Sequence, residues 1–140
     1  MAEKDKVSIL LFSGTVDKLL ATAILTSGAV AMDTEVDIFA TFYGIHAFSK
    51  SAIKTNMTFS KDFEEMVPMI KQKLREKNIP PWYAMLAEAK KSGKVKIHAC
   101  STACDLLDVK KDGLDPLVDD VVGVGNYFAA AAESKVTLFI

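Results

Sequence analysis

The amino-acid sequence predicts a three-layer α/β domain built on a mainly parallel sheet of four to five strands. Short runs of branched apolar residues alternate along the chain with longer segments in which apolar residues recur every three or four positions, as in strands and amphipathic helices. The short runs are apolar at successive positions, which is typical of strands buried on both faces of a parallel sheet. No long polar linker interrupts the 140 residues, so we expect a single domain over residues 1–140.

The individual elements follow from these patterns and from their boundary residues. A strand is predicted at 7–12, and the helix after it at 16–32, with Thr15 as its N-cap and Asp17 in the first turn, where the helix dipole favours a negative charge. Further strands are expected at 36–43, 95–99 and 136–140, with a short extended segment at 120–124. Further helices are expected at 61–77, 82–91, from 102 or 103 to 109, and at 127–133, whereas 44–60 has the least regular pattern.

Composition and charge exclude several classes of protein. Half of the residues are hydrophobic, which argues against disorder, and 17 basic residues against 18 acidic ones give no electrostatic reason to expect nucleic-acid binding. The longest uncharged stretch, 19–32, is shorter than the roughly 20 apolar residues of a membrane-spanning helix. The charged start does not look like a secretory signal, so we expect a cytoplasmic protein without a membrane span, in which the two cysteines are reduced.

Functional residues of open parallel sheets lie beyond the carboxyl ends of the strands, beside the point where the strand order reverses. Four segments are expected at that edge: Ser13-Gly14-Thr15, the residues 43–46, Cys100-Ser101-Thr102 and the residues 123–126. In the doubly wound, flavodoxin-like order 2-1-3-4 the first and third strands are neighbours. Cys100 would then face the Ser13-Gly14-Thr15 turn.

Cys100 is the strongest candidate for chemistry, because it stands where an apolar strand ends and a helix begins. Unpaired N–H groups at a helix start stabilise a thiolate, and Ser101 and Thr102 add hydroxyl donors in the same turn. The competing interpretation is that Cys100 only fills space in the core, as buried cysteines often do.

Cys104 lies one helical turn beyond Cys100 and has three possible roles: a resolving thiol, a second sulfur acceptor or a packing residue. The C-x-x-x-C spacing differs from the C-x-x-C of thioredoxin-like motifs. A disulfide between positions i and i+4 of one helix would be strained. Packing is therefore the favoured interpretation for Cys104.

The two histidines and the first turn are secondary candidates. His46 follows the second strand and could hydrogen-bond a thiolate or polarise a sulfur substrate, whereas His98 shares a strand face with Cys100 and points into a helix-covered layer or a subunit contact. Ser13-Gly14-Thr15 precedes a helix, where backbone N–H groups can bind a phosphate or a sulfur oxyanion. No spacing matches a zinc site or a nucleotide-binding motif, so we expect neither a metal nor a cofactor.

Methionine and aromatic residues concentrate between positions 57 and 86. Met57, Met66, Met69 and Met85 occur there together with Trp82 and Tyr83. Core packing and an oligomer or partner surface are equally good explanations, because flexible Met and aromatic side chains serve both.

Four segments carry a resemblance to a known family: SGTVDKLLATAILTSGAVAM, VDIFATFYG, VKIHACSTACDLLDV and VGVGNYFAAAAESKVTLFI. With them the chain resembles the DsrE/DsrF-like family, in particular its small archaeal and bacterial members found with sulfur-oxidation and sulfur-transfer genes. The resemblance implies a Rossmann-like sheet and a homo-oligomer, often a trimer or a multiple of one. It also implies that Cys100, in the position after the third strand, carries a persulfide or a thiosulfonate.

The function expected from residues and resemblance together is that of a cytoplasmic sulfurtransferase or sulfur carrier. The Cys100 thiolate would attack a sulfane sulfur and pass it on, with donor and acceptor proteins or small sulfane-sulfur compounds as partners. One alternative is a non-catalytic subunit that holds a small anion or a nucleotide. The other is a dithiol oxidoreductase that uses both Cys100 and Cys104.

Overall fold

A computed structural model describes residues 5–140 and contains a sheet of five strands, all parallel, in the order β4-β3-β2-β1-β5. The strands are β1 (Lys6–Leu11), β2 (Glu35–Ala40), β3 (Val95–Cys100), β4 (Asp120–Val122) and β5 (Val136–Phe139). The α-helices are α1 (Val16–Ala31), α2 (Tyr43–Ala47), α3 (Val67–Glu76), α4 (Trp82–Lys90), α5 (Ser101–Leu106) and α6 (Val124–Ala132). Short 3₁₀ helices occupy Lys61–Met66 and Lys111–Gly113. The predicted α/β class with a mainly parallel sheet is confirmed.

The two faces of the sheet differ in composition, and we name each by the helices that cover it. The α1/α4 face carries the core of the protein, in which Ile9, Ile38 and Ile97 on three adjacent strands are fully buried. The α6 face carries Ser8, whose hydroxyl bonds that of Ser134 at 2.7 Å, and Phe39, whose ring lies 5.7 Å from that of Tyr127 in α6. α6 has no buried residue, so this second layer is thin.

The flavodoxin-like strand order 2-1-3-4 is wrong. β2 lies between β1 and β3, and the order reverses between β1 and β5. Cys100 therefore does not face Ser13-Gly14-Thr15 across a switch point, as the sequence analysis expected. The carboxyl ends of β1 and β5 instead bring Phe12 and Phe139 together, with stacked rings 5.9 Å apart.

Several element boundaries differ from the prediction: α5 ends at Leu106 and not at 109, α6 begins at Val124 and not at 127, and α2 lies at the start of the segment predicted to be irregular. Two further differences have identifiable reasons. β2 ends at Ala40, not at residue 43, because the chain turns at Phe42 (φ 48°) and the amide of Gly44 donates to the carbonyl of Phe12 at 3.2 Å. The helix predicted at 61–77 is divided into a 3₁₀ helix and α3. Pro68 explains the division, since a residue without an N–H is tolerated only in the first turn of an α-helix.

No helix within residues 5–140 is both long enough and apolar enough to span a lipid bilayer.

Candidate functional site

Cys100 is the last residue of β3 and the N-cap of α5, so the predicted strand-to-helix junction is present. The side chain is only 7% exposed. Cys100 pairs in register with Val122 of β4 and shares the α6 face of the sheet with His98, two residues earlier. A reagent that reaches this thiol must therefore be small or must displace a neighbouring segment.

Cys104 lies inside α5 and is 4% exposed. Burial raises the pKa of the Cys104 thiol above its ordinary value of 9.0, and negative charge on the nearby Cys100 and Asp105 raises it further. Cys104 is thus held in its protonated form near neutral pH. The raised pKa makes Cys104 a poor nucleophile near neutral pH, because the thiolate is the reactive form of cysteine.

The hydroxyl residues beside Cys100 occupy the first turn of α5. Ser101 is half-buried and Thr102 is exposed, and α5 begins without a side-chain cap. Both residues follow Cys100 at the carboxyl end of β3.

A row of charged side chains crosses four strands on the α6 face, and Cys100 lies two residues beyond it. Lys6 Nζ on β1 lies 3.2 Å from Asp37 Oδ2 on β2. His98 Nε2 on β3 lies 3.0 Å from Asp37 Oδ1, and His98 Nδ1 lies 2.5 Å from Asp120 Oδ1 on β4. The row joins β1, β2, β3 and β4 through side chains as well as through the backbone.

The two carboxylates beside His98 favour its protonated form. An ionised carboxylate can only accept hydrogen bonds, so this arrangement stabilises the imidazolium, in which both ring nitrogens carry a proton to donate. Hydrogen bonding to Asp37, followed by that to Asp120, raises the pKa of His98 above 6.5 against the opposing effect of burial. Burial acts to raise the pKa of Asp37, but hydrogen bonds from His98 and Lys6 outweigh it and the net shift is below 3.8. Both ring nitrogens of His98 are thus engaged by carboxylates rather than by Cys100.

The other predicted partners of Cys100 lie elsewhere on the carboxyl edge. His46 is exposed on α2, and no hydrogen bond joins its ring to Cys100 in the described part of the chain. The Ser13-Gly14-Thr15 turn follows β1, two strands away from Cys100. β2 therefore lies between the strand that ends in this turn and the strand that ends in Cys100.

The Ser13-Gly14-Thr15 turn is tightly packed against α2 and β5. The amide of Ser13 donates to the carbonyl of Ile140 at 3.2 Å, and Asn56 Nδ2 donates to the carbonyl of Gly14 at 2.8 Å. A Cβ atom on Gly14 would lie 2.4 Å from the carbonyl oxygen of Tyr43, so only glycine fits here. The amide of Ser13, which an anion would need, is already occupied by a backbone acceptor.

Sequence reasoning missed the three residues that pair directly or indirectly with His98: Lys6, Asp37 and Asp120. A signal was present in Asp37, since a carboxylate within the apolar run VDIFA is rarely buried without a partner. The partner could not be chosen from the sequence, because the order of the strands determines which cation lies beside Asp37.

A parallel α/β domain that ends its third strand in a buried thiol is the class of protein that the fold and this site define. The chain belongs to the DsrE/DsrF/DrsH-like family, whose sequence profile matches residues 3–139.

Individual relatives agree with the family assignment. The chain is 36% identical to "Uncharacterized protein YrkE" of Bacillus subtilis, with 100% of both chains covered. It is 28% identical to "Sulfur carrier protein DsrE2" of Allochromatium vinosum, with 99% of both covered. The solved structure of the protein of unknown function MTH1491 from Methanobacterium thermoautotrophicum has a TM-score of 0.67 at 15% identity, over 98% of this chain and 100% of that one, which shows the same fold.

Proposed function

We propose that this protein is a sulfur carrier or sulfurtransferase in which Cys100 holds the transferred sulfur. Membership of the DsrE/DsrF/DrsH-like family and the similarity to a sulfur carrier protein support a role in sulfur relay. The observation that carries the choice of residue is the asymmetry between the thiols. Cys100 ends β3 at the carboxyl edge, whereas Cys104 lies inside α5 with a raised pKa.

The proposed step is a nucleophilic attack by the Cys100 thiolate on a sulfane sulfur. With thiosulfate, a new S–S bond forms to the sulfane sulfur, the bond to the sulfonate sulfur breaks, and sulfite leaves with the electron pair. The product is a Cys100 persulfide with one negative charge. With tetrathionate, the central S–S bond breaks instead, thiosulfate leaves, and Cys100 carries an S-thiosulfonate. Transfer repeats the exchange, with the thiolate of an acceptor protein attacking the outer sulfur of the persulfide.

Burial of Cys100 restricts which donors can react. Thiosulfate, polysulfide and tetrathionate are small, whereas a protein donor needs the segment above the thiol to open. Both kinds of partner remain part of the proposal. The donor that loads Cys100 in solution without a second protein is expected to be a small one.

Intact-mass measurement after exposure to thiosulfate or tetrathionate tests the proposal. The wild-type chain should gain the mass of one adduct, Cys104→Ser should retain most of it, and Cys100→Ser should lose it. Equal loss in both variants, together with a loss of two hydrogens in the wild type, would identify a dithiol oxidoreductase instead. No mass change in any of the three proteins would favour a non-catalytic binding subunit.

We also propose that the protein assembles as a homo-oligomer, a trimer or a multiple of one, through the aromatic cluster at the ends of β1 and β5. The ring of Phe12 lies 5.1 Å from that of Phe42 and 5.6 Å from that of Tyr43. Tyr43 is 63% exposed and Phe139 is 72% exposed. Contiguous exposed aromatic side chains are typical of protein interfaces.

Light scattering of a Phe139→Glu variant tests this assembly. The wild type should give a multiple of the 15.2 kDa chain mass, and Phe139→Glu should shift it towards 15.2 kDa, because a charge desolvated at an interface is costly. Met32→Glu is the matched control, since Met32 is 80% exposed beyond the end of α1 and lies outside the cluster. A wild-type mass of 15.2 kDa at micromolar concentration would contradict the proposal.

A further inference from the structure

A cavity of about 240 Å³ lies on the α1/α4 side of the sheet, away from the cysteines. Its wall is formed by the start of α1, the segment 53–59, α3 and the residues that lead into α4. Apolar side chains make up most of the lining, among them Val16, Leu20, Ile53, Leu74 and Trp82. The volume is below the roughly 300–1,000 Å³ of pockets for drug-sized ligands, so any occupant is small.

The charged residues of the cavity wall are all positive. Lys54, Lys71 and Arg75 line it, and no Asp or Glu does. None of the three forms an ion pair within residues 5–140, whereas Lys73, on the same helix but outside the lining, pairs with Glu76. Three unpaired cations around one apolar space produce a positive potential that a carboxylate or a sulfonate would neutralise.

Lys71 shows how the cationic and apolar parts of the wall are joined. The side chain is half-buried, and its Nζ lies 5.8 Å from the centre of the Phe59 ring, which also lines the cavity. A lysine stem packed on an aromatic ring keeps its ammonium group at the edge of the apolar space. The headgroup of a ligand would be bound at this edge, and the apolar part would extend towards Trp82.

We propose that this cavity binds a small amphiphilic anion: an unbranched or aromatic apolar group that ends in a carboxylate or a sulfonate. The positive charges of the wall require a negatively charged headgroup, and the apolar lining requires that the remainder of the ligand be apolar. This site goes beyond the proposed sulfur chemistry, because neither Cys100 nor Cys104 belongs to its lining. The site also gives a role to three of the Met and aromatic residues found between positions 57 and 86, because Met57, Trp82 and Tyr83 line the cavity.

The protein carries its own reporter for this site. Trp82 is the single tryptophan of the chain, it is 3% exposed, and it lines the cavity. Titration with octanoate should change its fluorescence saturably, with calorimetry as an independent measure of the same affinity. Octan-1-ol, which has the same chain without the charge, should bind about fivefold or more weakly, since one charge interaction is worth about that factor.

Charge-neutral variants complete the test. Lys71→Gln and Arg75→Gln should each weaken octanoate binding by about fivefold, whereas the control Lys73→Gln should leave it unchanged. Lys73 and Arg75 are exposed, and glutamine keeps part of the half-buried stem of Lys71, so the fold should be retained and adduct formation at Cys100 should be normal in each variant. Absence of saturable binding, equal affinity for octanoate and octanol, or an equal effect of Lys73→Gln would overturn the proposal.

Discussion

The two faces of the sheet are built from the same five strands but differ in what they contain. The α1/α4 face is apolar and fully covered, with Ile9, Ile38 and Ile97 at 0% exposure. The α6 face holds Cys100 and the charged row and is covered by one helix without a buried residue. Stability therefore resides mainly in one face, and Cys100 lies on the other.

This division has a physical basis in the cost of burying polar groups. A charged row is tolerated inside a sheet only if its members are paired, and here each member from Lys6 to Asp120 has an oppositely charged neighbour. A thin covering layer leaves these side chains half-buried, which lowers the desolvation cost.

The largest expected effect is a difference in the free energy of unfolding between substitutions at two adjacent residues of β3, whose side chains point to opposite faces of the sheet. Ile97→Ala should lower the free energy of unfolding by about 2–5 kcal/mol, because it opens a cavity in the buried face. Lys96→Ala, on the α6 face, should change it by less than about 0.5 kcal/mol, because Lys96 is exposed. Chemical denaturation measures both, and similar losses in the two variants would contradict the division between the faces.

A smaller effect is expected from the charged row, and it should depend on pH. His98→Gln should lower the free energy of unfolding by about 1–3 kcal/mol near pH 5, since it removes two hydrogen bonds to carboxylates. The raised pKa of His98 means that its contribution is complete below pH 6.5 and is lost as the pH rises through the raised value. The lowered pKa of Asp37 means that its contribution is complete above pH 3.8 and is lost as the pH falls through the lowered value.

The row should therefore stabilise the fold most between pH 3.8 and pH 6.5. Thermal unfolding of the wild type and of His98→Gln across this range measures the difference. His46→Gln is the matched control, because His46 is exposed and lies outside the row. A difference between wild type and His98→Gln that does not change with pH would show that the row contributes packing only.

The junction at Cys100 could be predicted from the sequence because local patterns define it. The strand-like segment VKIHA (95–99) ends immediately before Cys100, and both the strand and the helix that follow from this are present. The shared face of His98 and Cys100 could also be predicted, since side chains two residues apart in a strand point the same way.

The strand order and the charged row could not be predicted in the same way. Parallel strands are joined by crossovers, and local sequence does not specify on which side of β1 the last strand is added. In the observed order β2, and not β1, lies beside β3. This places Asp37 next to His98 and separates Ser13-Gly14-Thr15 from Cys100. The start of α3, by contrast, could have been predicted from Pro68. The apolar spacing on both sides of Pro68 instead suggested one continuous helix over 61–77.

Site-resolved labelling of the two thiols tests the central claim most directly. The wild-type protein is treated with limiting iodoacetamide at increasing pH, and peptide mapping measures the alkylated fraction of each cysteine. Cys100 should be labelled first, and Cys104 should follow only above pH 9.0, because burial and the neighbouring negative charges raise its pKa. Labelling of Cys104 at the same rate as Cys100, or before it, would contradict the assignment of Cys100 as the sulfur-carrying residue.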